Sequence, residues 1–226
     1  MKRNGGTKLT IVIIVLIIGI IVAIQLPCLM SGRISANETS AMGTLKQLTS
    51  SEEIWVQQDG DKDKLKNYWT YDVSCFHRMY RPDGTSKFAL IPMDVARGDA
   101  HPADLSGGSN PFGEDLKLEA WTEGITTSPK SGYWFRAMVT DENGVPYNQG
   151  AVGANKIPAT NSTKYAFVAW TDAYGASGVR TFIVNETKTI WAVDCGGDAD
   201  KIILQWPGKN PAEVEVPSGR KWDMAE

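Results

Sequence analysis

With 226 residues, 23 basic against 26 acidic side chains and a net charge of -3, the chain lacks the basic surplus that nucleic-acid binding calls for. Eight Trp and 22 Gly with few long helical patterns exclude a helical bundle and point to a β-rich, turn-rich body. Three cysteines without C-x-x-C spacing and two histidines, His77 and His101, do not compose a Cys/His zinc site.

The chain opens on a basic flank, residues 1–8, carrying Lys2, Arg3 and Lys8. From Leu9 to Leu26 no side chain is charged. At 1.5 Å per residue that run covers about 27 Å, close to the hydrocarbon thickness of a bilayer. Basic residues stay on the cytoplasmic side, so the flank predicts a cytoplasmic N-terminus and an exported body. The division expected is a basic cytoplasmic leader (1–8), a transmembrane helix (9–30), an amphipathic helix continuing the stem (31–57) and an extracytoplasmic β-rich domain (58–226). A cleaved signal peptide fits less well, because the run exceeds the usual h-region and no small-x-small site follows it. Cys28 offers a lipoprotein anchor as an alternative, although Pro27 stands where a small residue is ordinarily found.

Beyond the apolar run, Ile34, Ala41, Met42, Leu45, Leu48 and Trp55 recur at spacings of three, four and seven, with Arg33, Glu38, Lys46, Glu52 and Glu53 between them. Pro27 predicts a kink. The segment Asp59-Gly60-Asp61-Lys62-Asp63 follows, with three aspartates in alternation. Oxygen ligands at positions one, three and five are how a calcium loop begins, so Asp59, Asp61 and Asp63 are the candidate metal ligands and calcium the candidate cofactor. Lys64 and Thr70 occupy the places of the loop's glycine and bidentate glutamate, and a solvated turn closing the helix is the competing reading.

Tyr68–Tyr80 is dense in aromatic residues and predicts packing against the stem, with His77 as a packed or surface residue rather than a catalyst. Residues 96–129 read as loop. Strands are expected over Tyr133–Thr140 and Tyr165–Thr171, and Arg180–Asn185 with Thr189–Asp194 form a hairpin about Glu186-Thr187-Lys188. Tyr174-Gly175-Ala176-Ser177-Gly178 predicts a tight corner, for which its glycines permit positive φ. Cys75 and Cys195 are a candidate disulfide in an exported domain; two buried free thiols are the alternative. Nucleophile-elbow, H-E-x-x-H, P-loop and G-x-G-x-x-G signatures are absent, so no enzyme activity, catalytic residue or small-molecule substrate is expected.

The stem resembles that of type IV pilins and type II secretion pseudopilins. The leader MKRNG, the apolar run, the placing of Pro27 and the stretch RISANETSAMGTLKQLTSSEEIW, with its Ala36-Asn37-Glu38, carry the likeness. The body resembles a bacterial pilin-like domain through Ser131-Gly132-Tyr133-Trp134-Phe135-Arg136, Tyr174 through Asn185, and Tyr68-Trp69-Thr70. The resemblance implies leader cleavage between Gly5 and Gly6. It also implies a helix-assembly core of Ile11, Val15, Ile18, Val22 and Leu26 with Pro27. Thr10 stands where the family has the glutamate that neutralises a neighbouring N-terminus. The implied fold is α+β, a long transmembrane and amphipathic helix packed on an antiparallel sheet, in the pilin manner. The implied role is a structural subunit of the inner membrane, with the lipid bilayer and other pilin-like subunits as partners and a filament or secretion pseudopilus as the assembly. A tethered periplasmic binding or sensor domain that does not polymerise is the rival.

Overall fold

The computed structural model describes residues 5–81, 84–104, 110–113, 116–121 and 126–225, without the side chains of 5–9, 18 and 20–28. One long helix, α1 (Gly5–Gln58), leads into β1 (Tyr68–Trp69), α2 (Cys75–Arg78) and α3 (Met93–Arg97). The strands β2 (Tyr133–Ala137), β3 (Gly150–Val152), β4 (Ile157–Asn161), β5 (Ala166–Thr171), β6 (Arg180–Asn185) and β7 (Trp191–Asp194) follow. A 3-10 turn (Pro211–Glu213) and β8 (Asp223–Met224) close the chain. They form two antiparallel sheets, ordered β1-β4-β3 and β2-β5-β6-β7-β8.

The larger sheet buries both faces. On one, Tyr133, Phe135, Phe167, Ala169, Phe182, Val184 and Ala192 meet Ala41, Leu45, Leu48 and Trp55 of α1. On the other, Val168, Trp170, Ile183, Val193 and Cys195 lie under Met138, Tyr147, Trp206, Val216 and Trp222, so the C-terminal segment is the third layer. Alternate side chains of a strand point to opposite faces, which explains why all six residues of the interior strand β5 are buried and why its sequence shows no polar alternation. The apolar stripe expected on the stem is the face that packs. Trp55 sets its ring edge-on to Trp69 at 5.3 Å, and Trp69 meets Phe112 at the same distance.

Two parts of the expected α+β layout are corrected. The body carries two sheets rather than one, because Tyr68-Trp69 leaves α1 to pair with Thr160 and Asn161 far along the chain, a partnership that strand patterning cannot reveal. Among the described residues no helix is long and apolar enough to cross a membrane, against the transmembrane helix expected over 9–30, and the fold they describe is one long helix on a mostly β body. From Arg33 onward the helix mixes charged residues with the stripe that the body covers, and the side chains of 18 and 20–28, within the expected span, lie outside those described. The amphipathic stretch runs to Gln58, one residue past the boundary expected.

Candidate functional site

Three sequence motifs meet where α1 leaves the body. Glu38 turns its side chain, only 6% exposed, into the corner before β6. Its Oε1 accepts the backbone N–H groups of Val179 at 3.1 Å and Arg180 at 3.2 Å, while Oε2 accepts Nε of Arg180 at 2.7 Å and pairs with Nη2 at 2.6 Å. A guanidinium fork and two amides on one carboxylate make a charge-assisted, geometrically fixed contact. Asn37 donates from Nδ2 to the Ser177 carbonyl at 2.7 Å. Ser40 donates to Ser131 Oγ at 3.1 Å, and Lys130 to Thr44 Oγ1 at 2.9 Å. Ala36-Asn37-Glu38, Ser131-Gly132-Tyr133 and the Tyr174–Arg180 corner thus form one clasp.

The glycines of the clasp are there for close approach as well as for backbone freedom. A Cβ on Gly178, which does not take a positive φ, would lie 2.1 Å from the Tyr133 hydroxyl. One on Gly132 (φ +72°) would lie 2.6 Å from Ser177 Cβ. The Tyr133 hydroxyl donates to the Arg180 carbonyl at 2.9 Å, and burial, with the charge of Glu38, pushes it well above the usual phenol range. Of the two glycines of the corner, Gly175 uses the positive φ that glycine permits (φ +76°) and Gly178 serves the close approach.

Beyond the clasp α1 stands away from the body. Ile11 to Ile17 are seven consecutive apolar side chains, each 48–63% exposed, and Leu29 and Met30 are exposed as well. Seven consecutive residues wrap about two turns, so the helix is apolar all round there, unlike its clasped half. Of the expected assembly residues, Ile11 and Val15 lie on this surface and Thr10 is exposed beside them. Gly5, Gly6, Ile18, Val22, Leu26, Pro27 and Cys28 lie outside the residues whose side chains are described.

The aspartate loop closes α1. One carboxylate oxygen from each of Asp59, Asp61 and Asp63 lies within 4.8 Å of the others. Both oxygens of Asp59 accept the Lys64 N–H, and Asn67 Nδ2 donates to Asp61 and Asp63. Lys64 has φ +64°, so the position where a calcium loop carries glycine takes the left-handed conformation without one. Burial first, then the charge of Asp63, pushes Asp61 up to about 6. The loop can present oxygens to a hard cation, and its own N–H donors already engage several of them.

Cys75 and Cys195 are both free and buried. Cys75 belongs to the core under α1 and Cys195 to the core on the opposite face of the larger sheet, which is why no disulfide joins them. A buried polar network beside Cys75 gave no signal in the sequence beyond the short spacing of Asp72 and Ser74. Asp72 Oδ2 accepts Ser74 Oγ at 2.8 Å and Ala103 N at 2.7 Å. Asp99 accepts the N–H groups of Val73, Ser74 and His101, and Arg78 Nη1 donates to Ser74 Oγ and to the Ala103 carbonyl. Burial, then the charge of Asp72, pushes Asp99 up to about 7. His77 sets Nδ1 2.8 Å from the Ile91 carbonyl, as a packed residue would.

The family model of a protein of unknown function, DUF2950, matches residues 98–214, which include β2 to β7 and the body's half of the clasp. No curated protein and no solved structure matches the chain. The matched stretch is more than half of the 226 residues, and the chain belongs to the DUF2950 family.

Proposed function

We propose that the protein is a pilin-like or pseudopilin-like structural subunit that joins other copies through the N-terminal part of α1. The observation that carries this reading is the exposed, all-round apolar surface from Ile11 to Ile17 on a helix whose other half is built into the body. Such a surface is costly in water, at about 25 cal/mol per Å² of apolar area. A bilayer supplies an apolar surrounding before assembly, and the helices of neighbouring copies supply one after it. The clasp would then hold the body at a fixed angle to that helix, as a repeating subunit requires.

The test is fractionation of the full chain and of the double variant Ile11→Glu, Val15→Glu. The native chain should appear with membranes and with sheared surface fibres, and the variant should leave both while its body keeps its circular dichroism. A native chain that stays monomeric and soluble without detergent would sink the proposal. Thr10 favours a second reading, a tethered domain that does not polymerise, because a threonine cannot neutralise a buried N-terminal amine. Membrane association without fibres, unchanged by Thr10→Glu, would select that reading; increased fibre incorporation by Thr10→Glu would select the subunit. Intact-mass analysis adds a separate readout, since loss of MKRNG marks leader processing.

A further inference from the structure

Glu52 sits on the packed face of α1, fully buried, with its neighbours almost all apolar or aromatic. Its Oε2 accepts the Trp69 N–H at 2.9 Å, and its Oε1 has no partner. The Tyr165 hydroxyl, close enough to feel its charge, is also buried without a partner, as is the indole N–H of Trp55 about one turn along α1. No described cation reaches this carboxyl. On α1, the following Glu53 is paired with Lys188 of the β6–β7 turn. On the body side, β1 contributes Tyr68, and Tyr165 precedes β5. The β6–β7 turn contributes Glu186, itself pushed up by burial, while Asp72 lies on the far side of the Trp69 indole, which donates to it. Lys164 is held by Asp141 and Glu142. The charged neighbours of Glu52 are therefore mainly carboxylates.

We propose that Glu52 enters the fold as a neutral carboxylic acid and serves as a proton-dependent latch between the stem helix and the body. An ionised carboxylate in this position would be desolvated with a single amide donor and no counter-charge, an arrangement that proteins avoid by keeping the group protonated. The protonated acid has one more donor, which the unpartnered Tyr165 hydroxyl oxygen can accept. Losing the proton leaves an unpaired charge between α1, β1 and β5, and the relief is for α1 to lift from the body. The stem is thus firmly seated while Glu52 keeps its proton and is loosened once the pH passes its folded value. The linkage has the same sign: burial raises Glu52 well above its ordinary value, so its contribution is fully present below the ordinary glutamate range and is lost as pH rises through the folded value.

Glu52→Gln, which keeps the shape of the neutral acid, is the test, read on the full chain in detergent from neutral to alkaline pH. The native protein should lose hydrogen-exchange protection in residues 41–58 as pH rises, after correction for intrinsic exchange, and its melting temperature should fall by several degrees. The variant should keep both, while behaving like the native protein at acidic pH. Difference infrared spectra of the native protein should show a protonated carboxyl band at neutral pH that Glu52→Gln removes. Equal pH dependence in both proteins, or absence of that band, overturns the latch. If the variant fails to fold, the infrared band and the pH-dependent exchange of the native chain alone decide the matter. None of these readouts depends on fibre formation, so the latch and the proposed assembly can fail separately.

Discussion

Glu38 shows how much one side chain can hold. It serves two backbone amides and a guanidinium at once, so Glu38→Ala leaves two partly buried N–H donors and a partly buried arginine without their acceptor. Removing one partner of such a pair costs about 3 kcal/mol, and the melting midpoint in urea should fall accordingly. Arg180→Lys should lose part of this, because an ammonium cannot supply the fork. Gly178→Ala should be at least as damaging, since Tyr133 would have to move for a Cβ to fit. The aspartates set a second expectation, on pH. Asp99 has a folded value of about 7 and Asp61 of about 6, both above the ordinary 3.8. Their contributions are present below about pH 4 and lost as pH rises through those folded values. Asp141 works in the opposite sense, held below the usual carboxylate range by its hydrogen bond from Lys164, and its contribution is lost on acidification. Melting temperature measured from pH 4 to 8 should therefore decline across pH 5 to 7, roughly the window of Asp61 and Asp99. In the presence of a chelator, Asp61→Asn should raise stability at pH 7 by about 1 kcal/mol, a figure reduced for solvent screening of this half-exposed loop.

At the scale of elements, α1 is two helices in one. Its clasped half is shaped by the body, with Leu45, Leu48 and Trp55 under the larger sheet and β1, and its free part from Ile11 to Ile17 is apolar on every side. Leu48→Ala should cost about 2–5 kcal/mol, because Leu48 is fully buried in the core shared by α1 and the larger sheet and its removal leaves a void there. Chemical denaturation of the body checks this. The hairpin β6–β7 was legible in sequence to within two residues, since its turn and its alternating apolar residues are local features. Strand β5 was legible as a strand, but its burial on both faces was not.

The whole molecule depends on its C-terminal layer. Val216 and Trp222 lie beyond the stretch that the family model matches, yet both are buried against the second face of the larger sheet. Deleting residues 215–226 should expose Trp170, Ile183 and Val193, lower the melting temperature and increase binding of a hydrophobic dye. Unchanged melting would mean that the sheet does not need this cover.

By itself the sequence determined what is local or compositional: an apolar N-terminal run, the stripe from Ala41 to Trp55, the strands near Tyr133, Tyr165 and Arg180, and the oxygen-rich turn at Asp59. Each rests on periodicity or on the chemistry of neighbouring residues, which survive without knowledge of contacts. Tertiary structure alone decided that Ala36-Asn37-Glu38 and Tyr174–Arg180 are halves of one clasp, that Cys75 and Cys195 lie on opposite faces of a sheet, and that the strands divide between two sheets. These are pairings between residues more than a hundred positions apart, or on different layers, and they arise from packing that no single stretch of chain encodes. The two motifs could be noticed in the sequence, but the carboxylate of Glu38 found its partner only when the helix was laid against the sheet.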